Sequence, residues 1–526
     1  MICPETATRE ELVQALTRLE ADYERLKAQY AVLVEQIILA RKRTFGPSSE
    51  QSPPGQERLV FNEVEDQAAP TPPEPEAKEE PGAGKKRTRG PRRVNVDHLP
   101  VDEVVYDLPE NERTCNKCGG DLRKIGEECN DKLEVIPAQW RVKRTRRAKY
   151  GCRHCQDDGA PAPVFTVPGP AQAFPNSLAS PSAVAHIIHE KYVQGVPLYR
   201  QEQALERQGV ELTRQTMANW VIAGADWLEA IHGRMHTLLL EQDVLHADET
   251  RVQVLHEAGR AATDQSIMWL YRTGREGPHI VLYEYQPTRK AEHPCKFLKG
   301  FRGYLHADGY SGYELLPNVT IAGCWAHARR GFVRAVETLP KELRNKGGTH
   351  SHKGLAFCDR LFGVERTLHN VSASQRYDGR LKDSKPILDE FKAWLNTMSV
   401  DAAPKTRLAA AVGYCLNQWA KLNTFLQDGR LEIDNNRAER AIKPFVIGRK
   451  NWLFANTPRG ADTSAVLYSI VETAKENGIQ PLPYLTHLFE RLPSMRVSSD
   501  TSLDELLPWH PSIQDKLAAP SATRKP

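Results

Sequence analysis

The tetrapeptide Leu-His-Ala-Asp occurs twice in this chain, ending at Asp248 and at Asp308. Each copy closes an apolar run that reads as a strand. Side chains alternate along a strand, so each Asp shares a face with the His two residues before it, His246 or His306, while Leu and Ala face the other way. If the two strands are neighbours, two carboxylates meet at one strand-end edge of a sheet. Hard oxygen ligands gathered this way suit Mg2+ or Mn2+, and two such ions serve in-line displacement at phosphorus. A lone Asp at a strand end reads as a turn cap; the matched pair favours a site. The two His are expected to pack or orient rather than ligate. Glu249, beside the first Asp, points to the opposite strand face.

A third carboxylate is expected beyond a helical stretch. There Asp434-Asn435-Asn436-Arg437-Ala438-Glu439-Arg440 opens with capping residue types and sets Glu439 one turn inside a helix. Arg449, Lys450 and Trp452 follow as a basic and aromatic surface suited to nucleic acid. Other side chains point to a different metal. Cys115-x-x-Cys118 and Cys152-x-x-Cys155 have the form of two knuckles that close a tetrahedral thiolate site on structural Zn2+, with no open position for catalysis. Cys129 is the rival ligand, and redox use is the alternative. Cys324 and His327 look like half a further zinc site and are expected to pack structurally.

The elements that must carry these groups follow from periodicity. Residues 244–248, 252–255, 267–271 and 279–283 read as strands, followed by a helix near 295–298 and a strand at 303–308. That is the order of a ribonuclease-H-like α/β sheet. From 325 to about 426 the pattern is helical, a large all-α insertion in which Cys358 and Cys415 are expected in the core. Between 180 and 231 a helix opened by Pro197-Leu198, a turn at Gly209 and a second helix capped by Thr213 have helix-turn-helix form. The second helix would offer Arg214, Gln215 and Asn219 to base edges and turn Met217, Trp220 and Val221 inward. An ordinary helical hairpin fits the same pattern.

Near the N-terminus Leu12, Leu16, Leu19, Tyr23, Leu26, Tyr30, Leu33 and Ile37 recur in steps of four and three, a coiled-coil seam. It is expected to oligomerise, with packing on its own chain as the alternative, and to end near Phe45-Gly46-Pro47. A proline-rich stretch then turns from acidic to basic at Lys85–Lys86–Arg87 and reads as a disordered linker. Arg141, Lys143, Arg144, Arg146, Arg147 and Lys149 precede the second knuckle, where a strand would present them to phosphates.

With 526 residues the chain is too long for one domain. The expected organisation is a coiled-coil helix (1–46), a linker (47–93), a zinc-binding module (94–170) and a helix-turn-helix-like domain (171–240). A catalytic domain in two parts (241–334 and 431–478) then flanks the insertion (335–430), and a helical region and tail (479–526) close the chain. Lys+Arg number 71 against 67 Asp+Glu, so the distribution of charge matters more than the net +4. The lack of a long apolar run or apolar leader argues against membrane spanning and secretion. Ten cysteines are too few for a disulfide scaffold, so a reducing cytoplasm is expected.

The run from Asp434 to Pro444, with Gly448-Arg449-Lys450-Asn451-Trp452-Leu453-Phe454, resembles the C-terminal signature of the large transposase of the insertion-sequence 66 family, the TnpC type of DDE transposase. So do Asp248-Glu249-Thr250, Asp308-Gly309-Tyr310-Ser311-Gly312-Tyr313, Cys324-Trp325-Ala326-His327-Ala328-Arg329-Arg330, Lys191-Tyr192, Pro197-Leu198-Tyr199-Arg200-Gln201-Glu202 and Phe45-Gly46-Pro47-Ser48-Ser49-Glu50. Pro47 stands where that family often has a basic residue. The resemblance spans nearly the whole chain. It implies a bacterial, cytoplasmic and nucleoid-associated DNA transposase whose acidic triad is Asp248, Asp308 and Glu439, with two Mg2+ or Mn2+ ions. The implied reaction cleaves at the element ends and joins the freed 3′-OH to target DNA. Double-stranded DNA (terminal inverted repeats and target), further copies of the chain and accessory proteins of the same element are the implied partners. A catalytically silent zinc and helix-turn-helix regulator is the first rival reading, and a ribonuclease-H-like hydrolase of ordinary nucleic acid the second.

Overall fold

The computed structural model describes residues 9–45, 139–151, 164–495 and 500–518. The four knuckle cysteines, Cys129 and the linker 47–93 lie outside the described residues. The chain divides into two units, Met1–Glu50 with Ala171–Ser521 and Gln51–Pro170 with Ala522–Pro526.

The first helix, α1 (Arg9–Phe45), runs the length of the heptad pattern. Its seam residues Leu16, Leu19, Tyr23, Leu26, Tyr30, Leu33 and Ile37 are all exposed. So narrow a stripe leaves apolar area in water unless a second helix covers it. In the other unit, β1 (Lys149–Gly151) pairs antiparallel with β2 (Val164–Thr166). Arg141, Lys143, Arg144, Arg146, Arg147 and Lys149 are all exposed, but only Lys149 lies in a strand. The expected strand through the whole cluster is therefore corrected. Consecutive cations supply no apolar face to bury, and the pairing with β2 begins only at Lys149.

Three helices open the larger body: α2 (Pro181–Tyr192), α3 (Leu198–Arg207) and α4 (Arg214–Leu240). Ser180 and Thr213 cap α2 and α4 by accepting from the backbone N–H three residues on. Met217 and Val221 are buried as expected, whereas Trp220 is only half-buried. Beyond its exposed first turn α4 is a core helix. A Cβ on Gly224 would lie 3.2 Å from Val184 and Ile188 of α2 and from Phe489 near the C-terminus, so any larger residue would press on all three side chains.

The sheet has five strands, β3 (Val244–Gln253), β4 (Gln265–Thr273), β5 (Val281–Gln286), β6 (Gly303–Ala307) and β7 (Val319–Gly323), in the order β5-β4-β3-β6-β7. The first three form an antiparallel meander; β6 and β7 add in parallel. The short helix α5 (Glu292–Phe297) makes the crossover. The expected strands 244–248 and 252–255 are one strand. Glu249, Thr250 and Arg251 have turn-like polarity, yet they pair with Trp269, Met268 and Ile267. Asp248 is thus mid-strand, a correction to its expected place at a strand end. Parallel pairing of β3 with β6 stops at His246 opposite His306, so both Asp lie two residues past the last pair. β7 was not expected, being only five residues long and ending in glycine.

Both sheet faces are covered. Tyr271 stacks on Phe297 of α5 at 4.2 Å, while Tyr283 meets Tyr468 at 5.6 Å on the other side. Between β7 and the last part of the chain stand α6 (Trp325–Glu337), α7 (Lys341–Lys346), α8 (His350–Thr367), α9 (Ala373–Gly379), α10 (Lys385–Asp401), α11 (Arg407–Asn417) and α12 (Trp419–Asn423). Their core joins Trp325 and Phe332 to Phe357, Cys358, Phe391 and Cys415, and runs on to Val244 and Ile433 beside the sheet. The chain then returns through α13 (Asn436–Trp452), α14 (Pro458–Glu476), α15 (Pro481–Arg491), α16 (Asp500–Asp504) and α17 (Pro511–Leu517). Buried Arg272 of β4 ties the sheet to α14 by a two-pronged ion pair with Glu476 at 3.2 and 3.0 Å. Among the described residues no helix is long and apolar enough to cross a membrane.

Candidate active site

Asp248, in the middle of β3, and Asp308, just past the end of β6, stand at matched positions two residues beyond the last pair of these parallel strands. Asp308 is followed by Gly309 at φ +107°, a conformation other residues rarely adopt, and the chain turns so that Tyr310 N–H points back to Asp308 Oδ1 at 3.4 Å. Asp248 Oδ1 accepts from Glu249 N–H at 2.8 Å. Burial pushes the Asp248 carboxyl up to about 8, and the negative charges of Glu249, Asp308 and Glu439 act in the same direction. Asp248, Asp308 and Glu439 therefore stand close enough to feel one another, although Glu439 follows the whole insertion. Glu249 is turned to other partners. Arg289 binds it as an ion pair, and the Tyr313 hydroxyl donates to it at 3.4 Å. Arg289 in turn lies 4.5 Å from the Tyr310 ring centre.

Glu439 is one turn inside α13, and the start of that helix is pinned by a residue that sequence reasoning did not single out. Asn435 is fully buried. Its Nδ2 donates to Ala247 O, next to Asp248, at 2.8 Å. Its Oδ1 lies 3.0 Å from His246 Nδ1, and its backbone N–H points to Cys324 Sγ at 3.2 Å. Because Nδ2 is the donor to Ala247, Oδ1 must accept, which assigns the proton to His246 Nδ1. Asp434, not Asn435, supplies the cap, accepting from Asn436 N–H at 3.1 Å. His246 stacks on His306 with centroids 4.3 Å apart, and burial lowers the first to about 4 and the second well below its ordinary value. Both are neutral packing groups at pH 7.

The other brace comes from the first turns of α6. Arg330 donates to Glu439 Oε1 at 2.6 Å, and His327 Nδ1 lies 3.6 Å from the same oxygen. Cys324, His327 and Glu439 offer ligand atoms within 4.8 Å of one another. Here, however, the thiol, pushed by burial up to about 12, receives the Asn435 N–H, and Glu439 is held by a guanidinium. Cys324 thus supports the start of α13, while His327 stands beside Glu439 without a hydrogen bond to it. Arg330 was missed as a separate site residue; its one signal was its place three residues after His327. Replacing Asn435 with Ala should leave His246 Nδ1 and Ala247 O buried without partners and lower stability by about 1–3 kcal/mol, read from urea unfolding.

The donor set fits divalent cations. It offers carboxylate oxygens from three elements, and one carboxyl is held protonated by burial and its neighbours' charges. The expected DNA-contact residues are dispersed around it. Arg214, Gln215 and Asn219 are exposed in the first turns of α4, with Gln215 donating to Asn219 at 3.3 Å. At the end of α13, Arg449 reaches Thr250 Oγ1 at 3.3 Å and Lys450 is exposed. Trp452 departs from the expected surface aromatic. It is half-buried, with its ring edge-on to Phe445 at 5.5 Å, because an indole at a helix end gains more from an adjacent core than from water. Leu453 and Phe454 are exposed in its place.

Comparison with known proteins gives a consistent picture. Residues 176–463 match the family described as "Transposase IS66 family", and residues 112–156 match "zinc-finger binding domain of transposase IS66". Residues 469–509 match "IS66 C-terminal element", and residues 32–104 match "Transposase C of IS166 homeodomain". Two relatives come from Sinorhizobium fredii (strain NBRC 101917 / NGR234). The uncharacterized protein y4jD is 32% identical over 454 residues, covering 82% of this chain and 85% of the relative. The uncharacterized protein y4qI is 32% identical over 442 residues, covering 81% and 78%.

Proposed function

The chain belongs to the IS66 transposase family, and from that premise we propose that it cleaves DNA at the ends of its element and joins the freed 3′-OH to target DNA at a centre built from Asp248, Asp308 and Glu439. The observation that carries this reading is the convergence of three acids from distant parts of the chain: Asp248 is raised to about 8, first by its burial and also by the charges of Glu249, Asp308 and Glu439 around it. The order β5-β4-β3-β6-β7, with an antiparallel meander and two parallel strands, supports a ribonuclease-H-like sheet. Asp248, Asp308 and Glu439 would hold two Mg2+ or Mn2+ ions, which supply charge neutralisation on the attacking and leaving oxygens. The chain's own residues set the geometry. Asn435 and Cys324 fix the helix start, Arg330 holds the Glu439 carboxylate, and Arg289 neutralises Glu249, whose charge reaches Asp248. Zn2+ on Cys115, Cys118, Cys152 and Cys155 would order the finger module, and self-association along α1 would pair two copies.

The test is incubation of the full-length protein with the DNA flanking its own gene and with Mg2+ or Mn2+, scoring new 3′ ends at single-nucleotide resolution. Defined nicks at the element boundary support the reading. DNA bound without any cut overturns it in favour of a silent regulator.

Binding should separate into two kinds of contact. Replacing two of Arg141, Lys143, Arg144, Arg146, Arg147 and Lys149 with Gln should flatten the slope of log K against log salt by about 2 on every sequence. Replacing Arg214 or Asn219 should cost about 1–3 kcal/mol on the element end alone. Equal losses on specific and random DNA would remove α4 as the recognition helix.

A further inference from the structure

Two apolar side chains stand in water at the end of the helix that carries Glu439. Leu453 is 63% exposed and Phe454 42%. Leu453 holds φ +65° and ψ −52°, backbone that a branched L residue adopts only at a cost. Phe454 N–H bonds Trp452 O at 2.8 Å, so Leu453 is the centre of a γ-turn of the rare, strained hand. The turn is anchored on its far side. Ala455 N–H donates to Gln253 O at 2.9 Å, and Leu255 and His256 donate to Ala455 O and Asn456 O, both at 3.0 Å. The projection is thereby fixed to the end of the strand that carries Asp248.

Its flanks in the sequence are cationic, though Arg459 is paired with Asp226 at 3.1 Å. After Glu439 the sequence holds Arg440, Lys443, Arg449, Lys450 and Arg459, and no acid until Asp462. Arg449 reaches back to Thr250, two residues past Asp248. Asn451 lies against Gly195, in the turn between α2 and α3, so the same edge continues toward the helix-turn-helix-like pair. A strained, rigid apolar tip set in positive charge is poorly suited to a protein partner, which would need apolar area around it. It suits nucleic acid, whose phosphates meet the cations and whose bases offer apolar faces to a Leu or Phe wedge.

We propose that the Leu453–Phe454 turn is a wedge that stacks on an unpaired base of the DNA beside the catalytic acids and holds the duplex open there. The proposal rests on the DNA-cleaving reading of the site, but it is tested without cleavage. Full-length protein in Ca2+ buffer is bound to a fully paired oligonucleotide duplex and to the same duplex with a short unpaired bubble carrying 2-aminopurine. The wild type should bind the bubble about tenfold more tightly than paired DNA and change the 2-aminopurine emission on binding. The double variant L453A/F454A should lose both effects while its affinity for paired DNA stays within about twofold, since the phosphate contacts are untouched. L453G relieves the backbone cost, so its melting temperature should not fall while its bubble preference does. A wild type with no bubble preference, or a double variant that keeps it, overturns the wedge. So does a change of oligomeric state in the double variant, by light scattering, with the preference intact. Absence of cleavage at the gene's flanks would remove the transposase reading and leave the bubble result standing, so the two failures are distinguishable.

Discussion

Asp248→Asn should abolish strand cleavage, by on the order of 10³-fold or more, while leaving DNA affinity within about threefold. The amide keeps the carboxylate's shape and removes the charge that would hold the cations. The amide N–H that now bonds Asp248 Oδ1 can equally bond an Asn oxygen. Glu249→Gln is the matched control. Glu249 is held by Arg289 and Tyr313, so its loss should loosen that corner and lower cleavage far less. Quantitative gel assays of nicking beside fluorescence anisotropy make the comparison. Equal defects in the two variants would mean that the acid centre has been assigned to the wrong face of β3.

The second large effect is on stability. With its carboxyl raised to about 8 against about 3.9 in an unfolded chain, Asp248 keeps a proton in the folded state that the unfolded state gives up. Between those values the folded state binds more protons, so stability must fall as pH rises from about 4 to about 8. Four pH units correspond to at most about 5 kcal/mol. In buffer free of Mg2+ and Mn2+, Asp248→Asn should therefore melt higher than the wild type at pH 8, and the two should converge near pH 4. Added Mg2+ should raise the wild type at pH 8 and the variant much less. Parallel melting curves across this range would show that the Asp248 carboxyl is not raised in the folded protein.

The two Leu-His-Ala-Asp runs could be read from the chain because alternation is local: strand geometry alone puts each Asp on the face of its His. The polar stretch Glu249–Thr250–Arg251 misled because its strand character comes from pairing with β4, a partner that no local pattern reveals. β7 was hidden for the same reason, since it gains its place only by lying beside β6. Glu439 was accessible through a capping pattern and a resemblance. What holds it was not. Asn435 contacts His246 across 189 positions of sequence, and Arg330 reaches Glu439 across 109. Such contacts depend on how the insertion folds back, which periodicity does not encode. Trp452 looked like a surface aromatic by composition, but Phe445, two turns earlier on the same helix, gave it somewhere to pack.

The close approach at Gly224 has a consequence for synthesis. Val184 and Ile188 of α2 are covered in part by Phe489 of α15, and Tyr283 of β5 by Tyr468 of α14. Those covers leave the ribosome late. Until they do, the nascent chain shows water a half-closed core and an uncovered sheet face, and the closing contacts are of high sequence separation, hence slow. A copy of the gene cut short by a stop codon between β5 and α15 should therefore yield a larger body that aggregates or is degraded. Truncation in that interval should not leave a soluble helix-turn-helix-like body able to occupy the element's DNA.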